Sequence, residues 1–200
     1  MLTTDRTVFL LDVDNTLLDN DRFAADLGAH LERCFGAAER QRYWTIFSQL
    51  RAELGYADYL ATLQRFRFEL EDDPRLPWMS EFVLEYPFAE RLYPNALAAI
   101  AHLGTLGLPV ILSDGDMVFQ PRKIQHSGLW AAVDGRVLIY VHKERRHVDI
   151  RRRYPAPQYV MVDDKPQLLA AMKPLFGEQL LTVFVRQGHY AAESVDAVTP

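Results

Sequence analysis

The sequence contains almost no cysteine, since Cys34 is the only one in 200 residues. A single cysteine cannot close an intramolecular disulfide, which argues against a disulfide-stabilised secreted protein. The first residues also lack the pattern of a secretory signal, in which a basic region precedes an apolar stretch and a small-residue cleavage site. We therefore expect a protein of the reducing cytoplasm.

Long apolar runs and an excess of basic charge are missing as well. No window approaches the roughly 18 consecutive apolar residues of a membrane-spanning helix, so we expect no membrane association. The 22 Lys and Arg against 27 Asp and Glu give a net charge of −5. Because nucleic-acid binding needs clustered excess positive charge, a nucleic-acid partner is not expected. We interpret the arginine-rich segment 145–153 as a solvated helix face.

The rest of the composition is typical of a globular protein, with 49% hydrophobic and 24% charged residues. Five short apolar segments occur, at Val8 to Leu11, Val110 to Leu112, Val137 to Val141, Tyr159 to Val162 and Thr182 to Val185. Continuous apolar character is typical of strands covered on both faces by helices. Helices are predicted between them at 96–106, with Asn95 as its N-cap, and at 117–125, 147–154 and 167–175. The alternation predicts an α/β fold with a doubly wound, parallel, five-stranded Rossmann-like sheet.

One connection is far longer than a parallel crossover requires. About a hundred residues separate the first and second predicted strands, whereas a crossover usually contains little more than one helix. Apolar residues at helical spacing predict helices at 23–35, 43–54, 59–70 and 78–86, with Asp58 capping the third. We therefore predict two domains, a core of residues 1–17 and 91–200 and a small all-helical domain of residues 18–90.

Two carboxylates follow the first predicted strand directly. Asp12 and Asp14 belong to the hexapeptide Asp-Val-Asp-Asn-Thr-Leu, and ligands bind at the carboxyl edge of such sheets. Two carboxylates can divide a phosphoryl transfer, because one attacks phosphorus while the other protonates the leaving oxygen and later deprotonates water. Taken alone, the hexapeptide also fits an Asx turn.

The next three predicted strands also end near groups suited to this chemistry. Ser113 to Gly115 offer a hydroxyl and backbone amides to phosphoryl oxygens. Lys143 supplies a positive charge that can hold a carboxylate and a phosphoryl group together. Asp163 and Asp164 carry oxygens of the kind that Mg²⁺ prefers. Four strand ends therefore predict one shared site.

This set of residues, in this order, resembles the haloacid dehalogenase-like superfamily. Its four motifs are an Asp-x-Asp start, a Ser or Thr, a Lys or Arg, and a terminal acidic pair. The resemblance spans the chain, because the family also has a five-stranded parallel core and often a helical cap between its first and second motifs. Residues 18–90 would be that cap. The resemblance implies a hydrolase that dephosphorylates a small phosphorylated metabolite through an aspartyl phosphate.

The resemblance also implies a role for each matching residue. Asp12 would be the nucleophile and Asp14, two residues later, the general acid and base. Ser113 and Lys143 would complete the catalytic set. The groups implied to hold the phosphoryl substrate are Thr16, Ser113, Asp114, Gly115 and Lys143. The implied Mg²⁺ ligands are Asp12, the backbone carbonyl of Asp14, and one or both of Asp163 and Asp164.

Several alternatives remain open at this point. Lys143 lacks the proline that often follows it in the family, so Arg145 or Arg146 could take its role. A 2-haloacid dehalogenase would use Asp12 to displace halide from carbon, but Asp14 argues against it because that leaving group needs no proton. A phosphomutase would pass the phosphoryl group to a sugar hydroxyl, and a silent regulatory module would keep only the fold. The sequence leaves open the substrate and the oligomeric state, monomer or homodimer.

Overall fold

A computed structural model describes residues 6–70 and 73–193 and contains one five-stranded sheet. Its strands are β1 (Thr7–Leu11), β2 (Gly107–Asp114), β3 (Val137–Tyr140), β4 (Tyr159–Asp163) and β5 (Leu180–Phe184). They lie in the order β3-β2-β1-β4-β5, and all neighbouring pairs are parallel. This confirms the predicted α/β fold, with β1 at the centre of the sheet.

A helical insert separates β1 from β2, at the position where the sequence predicts extra helices. It comprises α1 (Asn20–Phe35), α2 (Ala37–Leu54), α3 (Tyr59–Phe66) and α4 (Leu76–Leu84). Asp58 caps α3 as predicted, because its carboxylate accepts a 2.8 Å hydrogen bond from the Ala61 backbone N–H. We refer to Asn20–Leu84 as the helical insert.

The remaining helices lie between strands of the sheet, except the last, which follows β5. They are α5 (Ala96–Leu106), α6 (Phe119–His126), α7 (Leu129–Ala132), α8 (His147–Arg153), α9 (Pro166–Phe176) and α10 (Gly188–Glu193). None of the helices within residues 6–70 and 73–193 has the length and apolarity to span a bilayer.

Alternate residues of the central strands enter two separate hydrophobic clusters. Phe9 and Leu11 of β1 pack in a cluster with buried residues of α5, α6 and the helical insert. Val8 and Leu10 pack on the other face, with buried residues of α8 and α9. Both faces of β1 are therefore buried, which explains its continuous apolar sequence.

The structure corrects two predictions about local structure. Asn95 precedes α5 but makes no side-chain capping bond, and its φ of 67° is left-handed. An N-cap residue normally has an extended backbone, whereas asparagine tolerates the left-handed region.

In β5, Leu181 and Val183 remain 50% and 44% exposed. The apolar run correctly predicted a strand here. The predicted burial of both its faces is wrong, because β5 is an edge strand with only one buried face.

Candidate active site

The sheet order brings the predicted functional groups to one edge. β2 and β4 flank β1, so the residues that follow these three strands are neighbours at their carboxyl ends. A short 3-10 helix, Lys143–Arg146, follows β3 and adds a cationic side chain to the same place. The parallel arrangement thus assembles a single site from four separate parts of the sequence.

A buried lysine links the first and fourth of these parts. Lys143 Nζ donates hydrogen bonds to Asp12 Oδ1 at 2.5 Å and to Asp163 Oδ2 at 2.7 Å. All three side chains are at most 5% exposed. Burial alone would lower the pKa of Lys143, but the nearby carboxylates of Asp12, Asp163 and Asp114 outweigh it and raise that pKa. Lys143 therefore remains an ammonium group.

The alternative cations lie elsewhere. Arg145 has a side chain that is 73% exposed, with its nearest acidic partner, Glu144, at 3.7 Å. Arg146 stacks over the Tyr140 ring at 6.0 Å. The structure therefore places Lys143, and neither arginine, against Asp12.

Asp12 is held at both carboxylate oxygens. Besides the bond from Lys143 to Oδ1, the Thr16 hydroxyl donates to Oδ2 at 3.1 Å. Thr16 is 5% exposed, and this bond orients Asp12. The threonine, which the resemblance assigns to the substrate, thus contacts the predicted nucleophile in this structure.

Three buried carboxylates form a cluster that suits a divalent cation. Asp12, Asp163 and Asp164 each place an oxygen within 4.8 Å of the others. Asp163 is satisfied by Lys143 and by the Lys165 backbone N–H, which donates at 2.9 Å. Asp164 is 1% exposed, yet neither of its oxygens has a hydrogen-bond partner among the described residues. Since a buried carboxylate without a partner is costly, the chemistry of this donor set fits Mg²⁺.

Burial also changes the protonation of Asp164. It raises the pKa of this carboxyl group to about 8, and repulsion from Asp12 and Asp163 adds to the effect. A cation bound beside Asp164 would reverse this shift by stabilising the ionised form.

Asp14 is bound by two side chains that sequence reasoning missed. Lys123 Nζ donates to Asp14 Oδ1 at 2.7 Å, and Gln120 Nε2 donates to Oδ2 at 3.2 Å. The same Gln120 amide donates to the Ser113 hydroxyl at 2.8 Å. Both donors lie on α6, inside a helix and away from any strand end. The only signal in the sequence is a lysine beside apolar Ile124, which is too common to identify a site.

The residues at the end of β2 position their neighbours. Asp114 accepts a 2.7 Å hydrogen bond from the Lys143 backbone N–H, and burial raises the pKa of Asp114. A Cβ atom on Gly115 would lie 2.8 Å from the Cβ of Gln120, so only glycine fits there without a shift. The segment from Ser113 to Gly115 therefore places Gln120 and Lys143 as well as offering its own polar groups.

The helical insert covers this edge of the sheet and encloses a cavity of about 290 Å³ beside Asp14. Core residues that line the cavity include Asp14, Gln120, Lys123 and Lys165, and insert residues include Arg51, Tyr56 and Tyr59. The insert touches the core closely, because a Cβ atom on Gly55 would overlap the His142 ring. Arg51 of the insert donates a hydrogen bond to the Tyr190 hydroxyl on α10. The cavity can therefore hold a small molecule in contact with both parts.

Comparison with known proteins shows which family and which solved structures this chain resembles. A model of the haloacid dehalogenase-like hydrolase family matches residues 7–174. The crystal structure of a haloacid dehalogenase-like hydrolase from Burkholderia xenovorans is 58% identical and superposes with a TM-score of 0.92. That match covers 98% of this chain and 90% of the other.

Two more distant structures share the fold. The hydrolase YfnB from Bacillus subtilis, solved with bound magnesium, is 17% identical with a TM-score of 0.62, over 91% of this chain and 89% of its own. The L-2-haloacid dehalogenase from Xanthobacter autotrophicus is 20% identical with a TM-score of 0.58, over 94% of this chain and 81% of its own. The search of curated proteins gives no match.

Proposed function

The chain belongs to the haloacid dehalogenase-like hydrolases, and from this premise we propose that it is a magnesium-dependent phosphatase acting on a small phosphorylated metabolite. The observation that carries the proposal is the buried cluster of Asp12, Asp163 and Asp164, in which Asp164 has no hydrogen-bond partner within residues 6–70 and 73–193. Carbon–halogen cleavage by a carboxylate has no need of a cation at this place, whereas attack on a phosphoryl anion does.

The ligands of Mg²⁺ would be the carboxylates of Asp12 and Asp164 and the backbone carbonyl of Asp14. Asp163 is less suited, because both of its oxygens already accept hydrogen bonds. Mg²⁺, when bound, supplies positive charge that offsets the repulsion between the nucleophile and the phosphoryl oxygens. That YfnB was crystallised with magnesium is consistent with this assignment.

In the first chemical step, an Asp12 carboxylate oxygen attacks phosphorus. A bond forms between that oxygen and phosphorus, the bond from phosphorus to the ester oxygen breaks, and Asp14 gives the leaving oxygen its proton. Lys143 and Thr16 hold the Asp12 carboxylate during this step, and the Lys143 ammonium also lessens the charge repulsion. The product is an aspartyl phosphate and a free alcohol.

In the second step, water attacks the same phosphorus atom. Asp14, now ionised, takes a proton from the water, and the bond between phosphorus and the Asp12 oxygen breaks. Inorganic phosphate leaves and Asp12 is restored as a carboxylate. The Ser113 hydroxyl and the backbone amides after it would hold the phosphoryl oxygens in both steps.

The helical insert would act as a cap, with residues 18–90 as its extent. Its contacts with the core at Gly55 and Arg51 support this role, because they close the cavity beside Asp14. A closed cap excludes bulk water while the phosphoryl group is transferred and selects the substrate by its fit. The cavity volume of about 290 Å³ favours a small metabolite.

The proposal is tested by hydrolysis of an aryl phosphate with Mg²⁺ and with a chelator. We expect turnover that requires Mg²⁺ and is lost in Asp12→Asn. Asp134→Asn is the matched control, since Asp134 lies exposed in the turn before β3, where its φ of 49° suits asparagine equally. Full activity in Asp12→Asn would rule out this nucleophile. Halide release from a 2-haloacid in chelator would favour the dehalogenase instead.

A further inference from the structure

We infer that Lys123 is a positioning residue that holds Asp14 in place for proton transfer, an inference that rests on the proposed phosphatase function. The side chain of Lys123 is 1% exposed, whereas that of Asp14 is 30% exposed. Lys123 Nζ donates hydrogen bonds to Asp14 Oδ1 at 2.7 Å and to Asn20 Oδ1 at 3.0 Å. Asp14 therefore lies between a buried ammonium group and the cavity.

The surroundings of Lys123 are otherwise aromatic. Its Nζ lies 4.9 Å from the centre of the Phe119 ring and 5.9 Å from that of Phe88. Lysine is almost never fully buried unless it is paired, because its ammonium group loses hydration. In this setting its charge acts mainly on Asp14, the one acidic group that it contacts in the described part of the chain. Lys123 therefore holds the Asp14 carboxylate in place from the buried side of the site.

Gln120 completes the fixation of Asp14. Its amide donates to the second carboxylate oxygen, Oδ2, at 3.2 Å, while Lys123 holds Oδ1. A carboxylate has about four lone-pair sites, so each oxygen keeps one for a substrate proton. Two donors fix both the rotation and the reach of the carboxylate, which sets where its proton is delivered.

Asn20, the second acceptor of Lys123, connects the Lys123–Asp14 pair to the helical insert. Asn20 is the first residue of α1, and its amide donates to the Tyr59 hydroxyl at 3.2 Å. Tyr59 lines the cavity from the side of the insert. Lys123 therefore fixes Asp14 relative to the cavity wall that a substrate would touch.

The experiment exploits the fact that a general acid matters most when the leaving group is a poor one. Lys123→Met removes the ammonium group while keeping most of the side-chain volume. We expect kcat for an alkyl phosphate to fall about 100-fold, and kcat for a nitrophenyl phosphate, whose leaving group needs no proton, to fall only about threefold. A purely structural defect would lower both rates by the same factor.

Four further variants make the result decisive. Asp14→Asn should show the same selective loss, and the double variant should lose no more than Asp14→Asn alone. Lys173→Met is the matched control, because Lys173 is exposed on α9 and bonds only to a backbone carbonyl among the described contacts. If Lys123→Met does not fold, Lys123→Gln, whose uncharged amide nitrogen ends one bond short of the lysine Nζ position and so no longer holds Asp14 at 2.7 Å, should show the selective loss.

The outcomes separate this inference from the proposed function. Equal losses for both esters in the folded Lys123 variant, or additive losses in the double variant, would overturn the positioning role alone. If Asp14→Asn hydrolyses the alkyl phosphate at the wild-type rate, the general acid itself is wrongly assigned. Absence of phosphate release by the unmodified protein would instead defeat the proposed function.

Discussion

At the scale of single residues, Lys143 determines whether the buried carboxylates can stay ionised. It is fully buried, and it donates to both Asp12 and Asp163. Removing one partner of a buried ion pair leaves the other charge uncompensated, which costs about 3–5 kcal/mol. The two carboxylates share one ammonium group, so its loss would affect stability and chemistry together.

We predict that Lys143→Met lowers kcat for an aryl phosphate by about 100-fold or more, since one positive group at the proposed nucleophile, Asp12, is lost. The free energy of unfolding in chelator should fall by a few kcal/mol. Steady-state kinetics and denaturant unfolding measure the two effects. A variant with wild-type kcat would show that this ammonium group takes no part in the reaction.

Arg145→Met provides the control for Lys143→Met. Arg145 is two residues away and exposed, and the sequence alone leaves it as an alternative source of the positive charge. Because its side chain is exposed and its described ion pair is with Glu144, its removal should leave kcat within about twofold of the wild type. A large loss here would mean that the cation was assigned to the wrong residue.

The residues that could be predicted differ physically from those that could not. Asp12 and Asp164 directly follow strands, and Ser113 is the last residue but one of β2, so their place in the sequence fixes their place at the sheet edge. Gln120 and Lys123 lie inside α6, and their contact with Asp14 depends on how that helix rotates against β2. Such a rotation is set by packing and is not encoded by any local pattern.

At the scale of elements, the corner between α2 and α3 determines how the helical insert meets the core. Gly55 ends α2 with a left-handed backbone, φ 80° and ψ 4°, and lies directly against the His142 ring. His142 itself has a φ of 59° in the loop that leads to Lys143. A side chain at position 55 would therefore push the insert away from the loop that carries the buried lysine.

We predict that Gly55→Ala lowers kcat/KM on the order of tenfold, because the displaced corner opens the cavity beside Asp14. Its left-handed backbone should also cost roughly 1–2 kcal/mol of stability. Gly128→Ala is the matched control, since Gly128 has nearly the same backbone, φ 82° and ψ −6°, with no atom within 4 Å of the added Cβ. Both variants should lose stability through the left-handed backbone, but only Gly55→Ala should lose activity. Equal kcat/KM in the two would show that the corner does not shape the cavity.

Strands and helices were easier to predict than their arrangement. Each apolar run became a strand because burial on the sheet requires it, and the excess length between β1 and β2 became the helical insert. The order β3-β2-β1-β4-β5 depends on which strands pair, and no local pattern contains that information. The exposed face of β5 was missed for the same reason, since an edge position follows only from the complete sheet.

At the scale of the whole molecule, we expect the acidic cluster to make folding stability depend on pH and on cations. In the metal-free protein, the raised pKa of Asp164, about 8, means that the folded state keeps a proton at this carboxyl group. The unfolded chain releases that proton near the ordinary pKa of about 4. Between these two values the folded state binds more protons, so the free energy of unfolding falls as the pH rises.

We predict that the melting temperature measured in chelator falls by several degrees between about pH 5 and pH 8 because of Asp164. Added Mg²⁺ should raise it more at about pH 8 than at pH 6, because the cation binds the ionised carboxylate and competes with the proton at lower pH. Thermal unfolding over a grid of pH and Mg²⁺ concentration measures how the melting temperature changes with each of them.

The variant Asp164→Asn separates the contribution of this carboxyl group to stability from the contributions of all other titrating groups. The amide cannot ionise, so the variant in chelator should be more stable than the wild type at about pH 8, with the difference shrinking toward pH 5. It should also lose most of the stabilisation by Mg²⁺. If instead the wild type and the variant respond equally to the cation, Mg²⁺ binds elsewhere, and the Asp164 oxygens, for which the described part of the chain offers no partner, have another function in this protein.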